Sequence, residues 1–193
     1  METFDRFEKE IILQAKSTLI ENLKDKLLDF PKHLEVFIKD NGVLSGGSIS
    51  SILWKETPND YDIYLKSDSD VKAFQGVIRS DEYHHLIKDV DEKYMDTLKN
   101  GKLITVNATT FKNGIQVITM SDASQRLEFD FIHCMPWLNL GNETFYISRE
   151  QYDSIRKRTL VKNPNYNRYL SNKRISKYTE RGWKFNEVFN QVE

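Results

Sequence analysis

An α+β fold, a mixed sheet packed by helices and followed by a short basic helical C-terminus, is the class that this sequence predicts. Three observations carry that prediction. Apolar residues recur at helical spacing in residues 2–29 and 71–99, they switch to the twofold alternation of strands in residues 102–133, and a strand–helix–strand run lies between, at 42–65. At 193 residues the chain is long enough for one domain with a substantial core.

The first helix sets Phe4, Phe7, Ile11, Leu19, Leu23 and Leu27 at helical spacings, and Pro31 stops it. Lys32 to Asp40 forms a second short helix, ended by Asn41-Gly42. The next stretch, GVLSGGSISSILWKETPNDYDIYL, organises the rest. A short apolar strand runs into Gly46-Gly47-Ser48, a helical piece carries Ile49, Ile52, Leu53 and Trp54, and a second strand carries Asp60 and Asp62. Residues two apart in a strand point the same way, so Asp60, Asp62 and Tyr64 share one face while Tyr61, Ile63 and Leu65 take the buried one. Asp68 and Asp70 repeat the spacing without apolar neighbours and read as a polar turn and helix cap.

The helical pattern of 71–99 breaks near Arg79-Ser80-Asp81, and the adjacent His84 and His85 cannot share a helix face, which favours a surface location. Strands are expected at Leu103 to Val106, Thr109 to Phe111, Ile115 to Met120 and Arg126 to Ile132, with hairpin chemistry at Lys112-Asn113-Gly114. In the last of these Leu127, Phe129 and Phe131 line one side, and Arg126, Glu128 and Asp130 the other. Pro, Asn and Gly cluster from Pro136 to Asn142, which divides a core of residues 1–143 from a basic extension, 144–193, that begins with a short strand at Thr144 to Ile147.

Composition narrows the functional classes. The 39% hydrophobic and 30% charged content is that of a globular protein. No apolar run approaches the ~20 residues that span a bilayer, so no membrane partner is expected. The N-terminal METFDRFEKE lacks a secretory apolar segment, and Cys134 stands alone, which rules out an internal disulfide framework and points to a reduced, cytoplasmic setting. The net charge of −1 hides a gradient: residues 1–143 carry 17 basic and 24 acidic side chains, and residues 144–193 carry 11 and 5. A basic tail of this kind suits a polyanionic partner.

Two carboxylates side by side on a strand repel each other, and a divalent cation between them removes the penalty. Hard oxygen ligands suit Mg²⁺. Glycines followed by Ser48 at a strand-to-helix junction let backbone N–H groups approach an anion. A phosphate cradle a few residues before a metal-binding pair suggests a nucleoside triphosphate with its metal.

On these residues the stretch resembles the head of the DNA polymerase beta-like nucleotidyltransferase superfamily: an apolar residue, Gly-Gly, about a dozen residues, then Asp-x-Asp. Its details (Gly46-Gly47, an apolar helix, Pro58, then Asp60-Tyr61-Asp62-Ile63) are most like heads of the tRNA nucleotidyltransferase and bacterial poly(A) polymerase type. The resemblance implies a mixed-sheet nucleotidyltransferase fold and two Mg²⁺ or Mn²⁺ ions held by three carboxylates, which are also the catalytic residues. Asp60 and Asp62 match the first two positions. Asp130 in Phe129-Asp130-Phe131 is the candidate for the third, with Glu128 in reserve. The resemblance further implies that Gly46, Gly47 and Ser48 bind the nucleotide. Arg174 and Lys177, three apart on one helical face, are candidates for clamping its triphosphate or holding RNA.

The expected activity is transfer of a nucleoside monophosphate from an NTP such as ATP to a hydroxyl acceptor, with release of pyrophosphate. Tyr152, Tyr166, Tyr169 and Tyr178, interleaved with the tail's Arg and Lys, suit an RNA 3′ end as that acceptor. Neither the Arg-Arg-Asp-Phe-Thr-type segment nor the Glu-Asp-x-x-Arg motif of the tRNA enzymes is present, which argues against CCA addition. Transfer to a small molecule or a protein side chain, as in antibiotic-modifying or toxin-type members, and non-catalytic nucleotide or RNA binding are the alternatives.

Overall fold

Helix α1 (Arg6–Leu27) begins at a capping box in which the Asp5 side chain accepts from the Glu8 amide and Glu8 reaches back to Asp5, so two otherwise unpaired donors are satisfied. The computed structural model describes residues 4–89, 102–105, 107–120 and 127–185. Ala15, Leu19, Leu23 and Leu27 form the buried stripe of α1, at a spacing of four. Phe4 and Ile11 pack partly against it, whereas Phe7, expected in that stripe, is exposed. Helix α2 (Lys32–Asn41) follows Pro31, which cannot donate inside a helix but is tolerated at its entrance. It buries Leu34 and Ile38.

Strand β1 (Gly42–Ser45), helix α3 (Gly47–Leu53) and strand β2 (Tyr61–Leu65) realise the expected head, with Asp60 one residue ahead of β2. Helix α4 (Asp68–Ile78) is capped by Ser67, whose hydroxyl accepts from the Asp70 amide, and Asp68 and Asp70 lie in the first turn. Beyond a short 3₁₀ turn at Asp81–Tyr83 the helical expectation fails. Ile87, fully buried, pairs with Phe111, and Asp89 pairs with Lys102, so the segment runs extended along the sheet. His84 and His85 bond locally, to Asp81 and to the Glu82 carbonyl. Residues 90–101 of the expected helix lie outside the described residues.

Strands β3 (Ala108–Thr110) and β4 (Ile115–Ile118) form the predicted hairpin, turned at Gly114, whose φ of +85° favours glycine. Ile104 makes a single bridge to Thr109 rather than a strand, and Val106 lies outside the described residues. Strands β5 (Trp137–Asn139) and β6 (Phe145–Tyr146) complete a six-stranded mixed sheet of order β3-β4-β2-β1-β5-β6. All neighbours are antiparallel except β2 and β4. The sheet therefore runs on both sides of the 143/144 division. The fold is a mixed α+β sheet packed by helices, as predicted.

One face of the sheet carries Leu44, Tyr61, Ile63, Leu65, Ile115 and Val117 into a core shared with α1, α2 and α4. The Tyr61 hydroxyl accepts from Asn22 on α1. The opposite face presents Val43, Asp62, Tyr64 and Ile118, covered in part by Phe129 and Trp137.

The expected strand from Arg126 to Ile132 is not formed among its described residues. β2 already has β4 on one side and β1 on the other, so no ladder position beside it remains. Leu127 and Glu128 lie in a 3₁₀ turn, Phe131 makes one bridge to Lys162, and Ile132–Cys134 is a 3₁₀ turn. The buried Asn163 side chain supplies what a ladder would have: its amide donates to the carbonyls of Leu127 (2.7 Å) and Phe129 (2.8 Å). The C-terminal residues fold over this segment through α5 (Arg149–Lys157), β7 (Thr159–Leu160), α6 (Asn172–Thr179) and β8 (Lys184–Phe185). Phe131, Cys134, Leu160 and Tyr178 form a second, smaller core there, with Ile175, Trp183 and Phe185 against it. Of the tail tyrosines, Tyr178 is buried in this core and Tyr169 is fully exposed.

Candidate functional site

The head and the C-terminal lobe are joined by hydrogen bonds at the end of β1. Ser45, on β1, donates to the carbonyls of Cys134 (3.1 Å) and Pro136 (2.8 Å), the Gly46 amide donates to Cys134 (3.0 Å), and Ser50 donates to the His133 carbonyl (2.8 Å). Where they meet lies a cleft of about 650 Å³, within the range of small-ligand sites. Asp60, Asp62, Gly46, Gly47 and Gln116 line it from the head, and Arg158, Arg174, Lys177 and Arg181 from the lobe.

Asp62 stands opposite Ser45 on β1 and Gln116 on β4. Burial, reinforced by the neighbouring charge of Asp60, pushes its carboxyl up to about 7, although Lys177 and Arg174 pull the other way. Asp60 is exposed beside it. Gly46 has φ +96°, and a Cβ built on it would meet the Asp62 carboxylate at 2.9 Å. The diglycine bend thus faces the acidic pair, and only glycine fits its first position. A Cβ on Gly47 would meet nothing within 4 Å.

Ser48, in contrast, turns inward. It is buried, does not line the cleft, and its hydroxyl has no partner among the described residues. Ser51, one helical turn on, lines the cleft instead, as does Ser50, whose buried hydroxyl is held by the His133 carbonyl. The pattern of strand, glycines and helix could not indicate which serine would face outward.

Asp130 sits in a bend rather than on a strand beside β2. Its Oδ2 accepts from Arg174 Nε at 2.7 Å, and its Oδ1 accepts from the Phe131 amide. Burial works against the Arg174 charge, but the Asp130 hydrogen bond and nearby acidic groups raise its pKa overall. Arg174 links two of the acids electrostatically: it is hydrogen-bonded to Asp130 and pulls the Asp62 carboxyl downward. Glu128, the reserve, is exposed. Among the described residues no three acidic, histidine or cysteine side chains converge on one point. The strand beside β2 offers Gln116 instead, and its amide donates to Thr110 at 2.8 Å.

The lobe's cations come from three places. Arg174 and Lys177 project from α6, as their spacing predicts, Arg181 follows that helix, and Arg158 ends α5 in the left-handed conformation with φ +47°. The Arg158 guanidinium lies 4.1 Å from the Trp54 ring, pairs with Glu56 and donates to the Arg181 carbonyl. Sequence reasoning counted Arg158 and Arg181 in the basic tail but had no signal for the docking that brings them to the cleft.

The floor between the two sets is aromatic. His133 is fully buried, its ring 4.1 Å from Trp183 and 4.7 Å from Tyr178, and burial lowers its pKa to about 3. The Cys134 thiol is pushed up to about 11 by burial, which leaves it a small buried group rather than a nucleophile. Asp60 and Asp62 thus face Arg174, Lys177, Arg181 and Arg158 across the cleft, with a third lining carboxylate, Glu56, already paired with Arg158, an arrangement that suits a polyanion carrying its own cation.

Comparison with solved structures finds similar chains. A tRNA-processing enzyme in its apo form is 10% identical over 83% of this chain and 46% of its own, with a TM-score of 0.51. The CCA-adding enzyme of Thermotoga maritima, complexed with tRNA, is 14% identical over 86% of this chain and 43% of its own, with a TM-score of 0.44. The chain spans less than half the length of these enzymes. Comparison with curated proteins finds no match. The sequence pattern described as Gabija anti-defense 2 family protein matches residues 8–158.

Proposed function

The chain belongs to the Gabija anti-defense 2 family, and we propose that it acts there as a metal-dependent nucleotidyltransferase. In this reading a nucleoside monophosphate passes from an NTP to a hydroxyl acceptor, pyrophosphate is released, and this chemistry underlies the counter-defence role in the family's name. One observation carries the reading: the Asp60–Asp62 pair and the Gly46 bend face Arg174 and Lys177 across a single cleft. The acceptor proposed is an RNA 3′ end, on the strength of the basic C-terminal residues.

Asp60 and Asp62 suit a divalent cation chemically. Both are hard oxygen donors, and the repulsion that raises Asp62 is what a bound cation relieves. Bound there, Mg²⁺ or Mn²⁺ would help activate the acceptor hydroxyl and neutralise the departing pyrophosphate. The chain's own residues do the rest. The Gly46-Gly47 backbone lets the nucleotide approach the acids, Arg174 and Lys177 hold its phosphates, and the Trp183–His133–Tyr178 floor keeps that side of the cleft dry. Asp130 is the proposed third carboxylate, its charge at present committed to Arg174.

A second reading, nucleotide binding without turnover, is favoured by that same ion pair and by Gln116 at the strand position opposite Asp62. Incubation with α-³²P-labelled NTPs, Mn²⁺ or Mg²⁺ and short RNAs separates the two. Turnover predicts label on the acceptor and free pyrophosphate, both lost in Asp60→Asn; label binding with no pyrophosphate from any NTP would refute the enzyme and leave the binder.

A further inference from the structure

Residues of α6, among them Lys173, Arg174 and Lys177, also line a second cavity of about 660 Å³, which Asp62 does not line. Arg174 and Lys177 line both cavities, so the two spaces meet at one pair of cations. Lys173, Ser171 and Tyr166 line only the second. Tyr166 and Ser171 bring the 164–171 loop to it, and in that loop Tyr169 stands fully exposed next to Arg168 in sequence.

An exposed tyrosine usually lies at least partly against the surface; Tyr169 is 101% exposed, so nothing in the fold accounts for an aromatic there. The cavity carries three cations, Lys173, Arg174 and Lys177, against the carboxylates Glu180 and Asp130, the latter already paired with Arg174. A free ring next to Arg168, on the loop that reaches this cavity, has the two ingredients of single-strand recognition: a stacking face that accepts any base and charges that follow the phosphates. The duplex grooves offer no unstacked base to such a ring, which favours a single strand.

We propose that this cavity and the 164–171 loop bind the end of a single-stranded polynucleotide. Tyr169 stacks on a base, Lys173 and Arg168 meet its phosphates, and the terminal nucleotide reaches the Arg174–Lys177 rung that borders the nucleotide cleft. The inference rests on the nucleotidyltransferase reading for its account of why the two cavities join, but the surface can be tested without turnover. Because Tyr169 and Lys173 are exposed, replacing them leaves the fold intact.

The test is fluorescence anisotropy with a labelled ten-nucleotide RNA, its DNA counterpart, a hairpin duplex and an acidic peptide, beside a separate titration of a fluorescent ATP analogue. Tyr169→Ala is expected to weaken single-strand binding about 5- to 20-fold with little change in salt dependence. Lys173→Ala is expected to weaken it several-fold and to lower the slope of log K against log salt by about 1. ATP-analogue affinity stays unchanged in both variants. Stronger binding of RNA than of DNA assigns the 2′-hydroxyl a part, and equal binding assigns the strand to shared chemistry; both support the surface. Single-strand binding that is absent, indifferent to both substitutions, or weaker than that of duplex or peptide overturns the inference, whatever the nucleotide does. Strand binding that depends on Tyr169 in a chain that takes up no nucleotide overturns the enzymatic reading instead and leaves this surface standing.

Discussion

The head and the lobe face each other across one cleft, yet they are built by different physics. The head, β1–α3–β2, is a ladder: Asp62, Ile63 and Tyr64 of β2 each have partners in both β1 and β4, and Ile63 and Leu65 are fully buried. The side chains of Asp62 and Tyr64 are aimed by strand alternation alone. Among its described residues the lobe has only the two-residue strands β7 and β8. Its order comes from one asparagine holding two carbonyls, a small aromatic core, and ion pairs such as Arg174–Asp130. A ladder fixes acids locally and rigidly, while cations brought by docking depend on every contact between the lobe and the head.

The sharpest way to break this comparison is Asp62→Asn. The head carries that charge at a cost, since burial and Asp60 raise its carboxyl to about 7 from a usual value of 3.8. A folded-state pKa above the unfolded one means that the folded protein holds the proton longer, so stability falls as pH rises from about 4 to about 7 and stays low above. Asp62→Asn should therefore abolish turnover while stabilising the metal-free protein at pH 8 by on the order of 2 kcal/mol. Asp60→Asn, at an exposed position, should abolish turnover with a smaller gain. Thermal melts with and without Mg²⁺ measure both; a destabilised Asp62→Asn would remove the electrostatic account of the pair.

Asn163→Ala is the matching lesion in the lobe. It leaves two carbonyls of the Asp130 segment without their donor, at a cost of about 2–3 kcal/mol. Hydrogen exchange should rise in residues 127–135 and in α6, with the β2 amides unchanged. Equal loosening of β2 would mean that head and lobe form one cooperative unit.

Acid separates the two regions by sign. His133 has its pKa lowered to about 3 by burial, so the unfolded chain, titrating near 6.5, takes a proton that the folded chain refuses. Its contribution is complete above pH 6.5 and declines towards pH 3, by at most about 1.4 kcal/mol per pH unit. Between about pH 4 and 6.5 acid therefore favours the head through Asp62 and disfavours the lobe through His133. Urea melts across that range should show Asp62→Asn more acid-sensitive than the native chain, and His133→Phe less so. Parallel profiles for all three would show that neither group governs the response.

The smallest effect is expected at Glu128. Glu128 is exposed and has no part in the ion pair made by Asp130 two residues on, so its change to Gln should alter stability by less than about 0.5 kcal/mol and leave turnover unchanged. Asp130→Asn, which strands the Arg174 charge, should lower both. A larger loss from Glu128→Gln would transfer the third carboxylate to the head-ward end of the segment.

The chain by itself determined what depends on near neighbours. The twofold alternation in Asp60–Leu65 fixed which side chains meet the core, the positive φ required after Ser45 fixed Gly46, and the three-residue spacing of Arg174 and Lys177 put both on one face of α6. Tertiary structure decided what depends on distant competition. The alternation of Leu127, Phe129 and Phe131 is as regular as that of β2, yet no strand forms, because both flanks of β2 are taken and Asn163 offers the carbonyls another donor. Ser48 turns inward and Arg158 turns towards Trp54 for the same reason: local spacing sets a residue's direction along its own element, whereas packing against the rest of the chain sets what that direction faces.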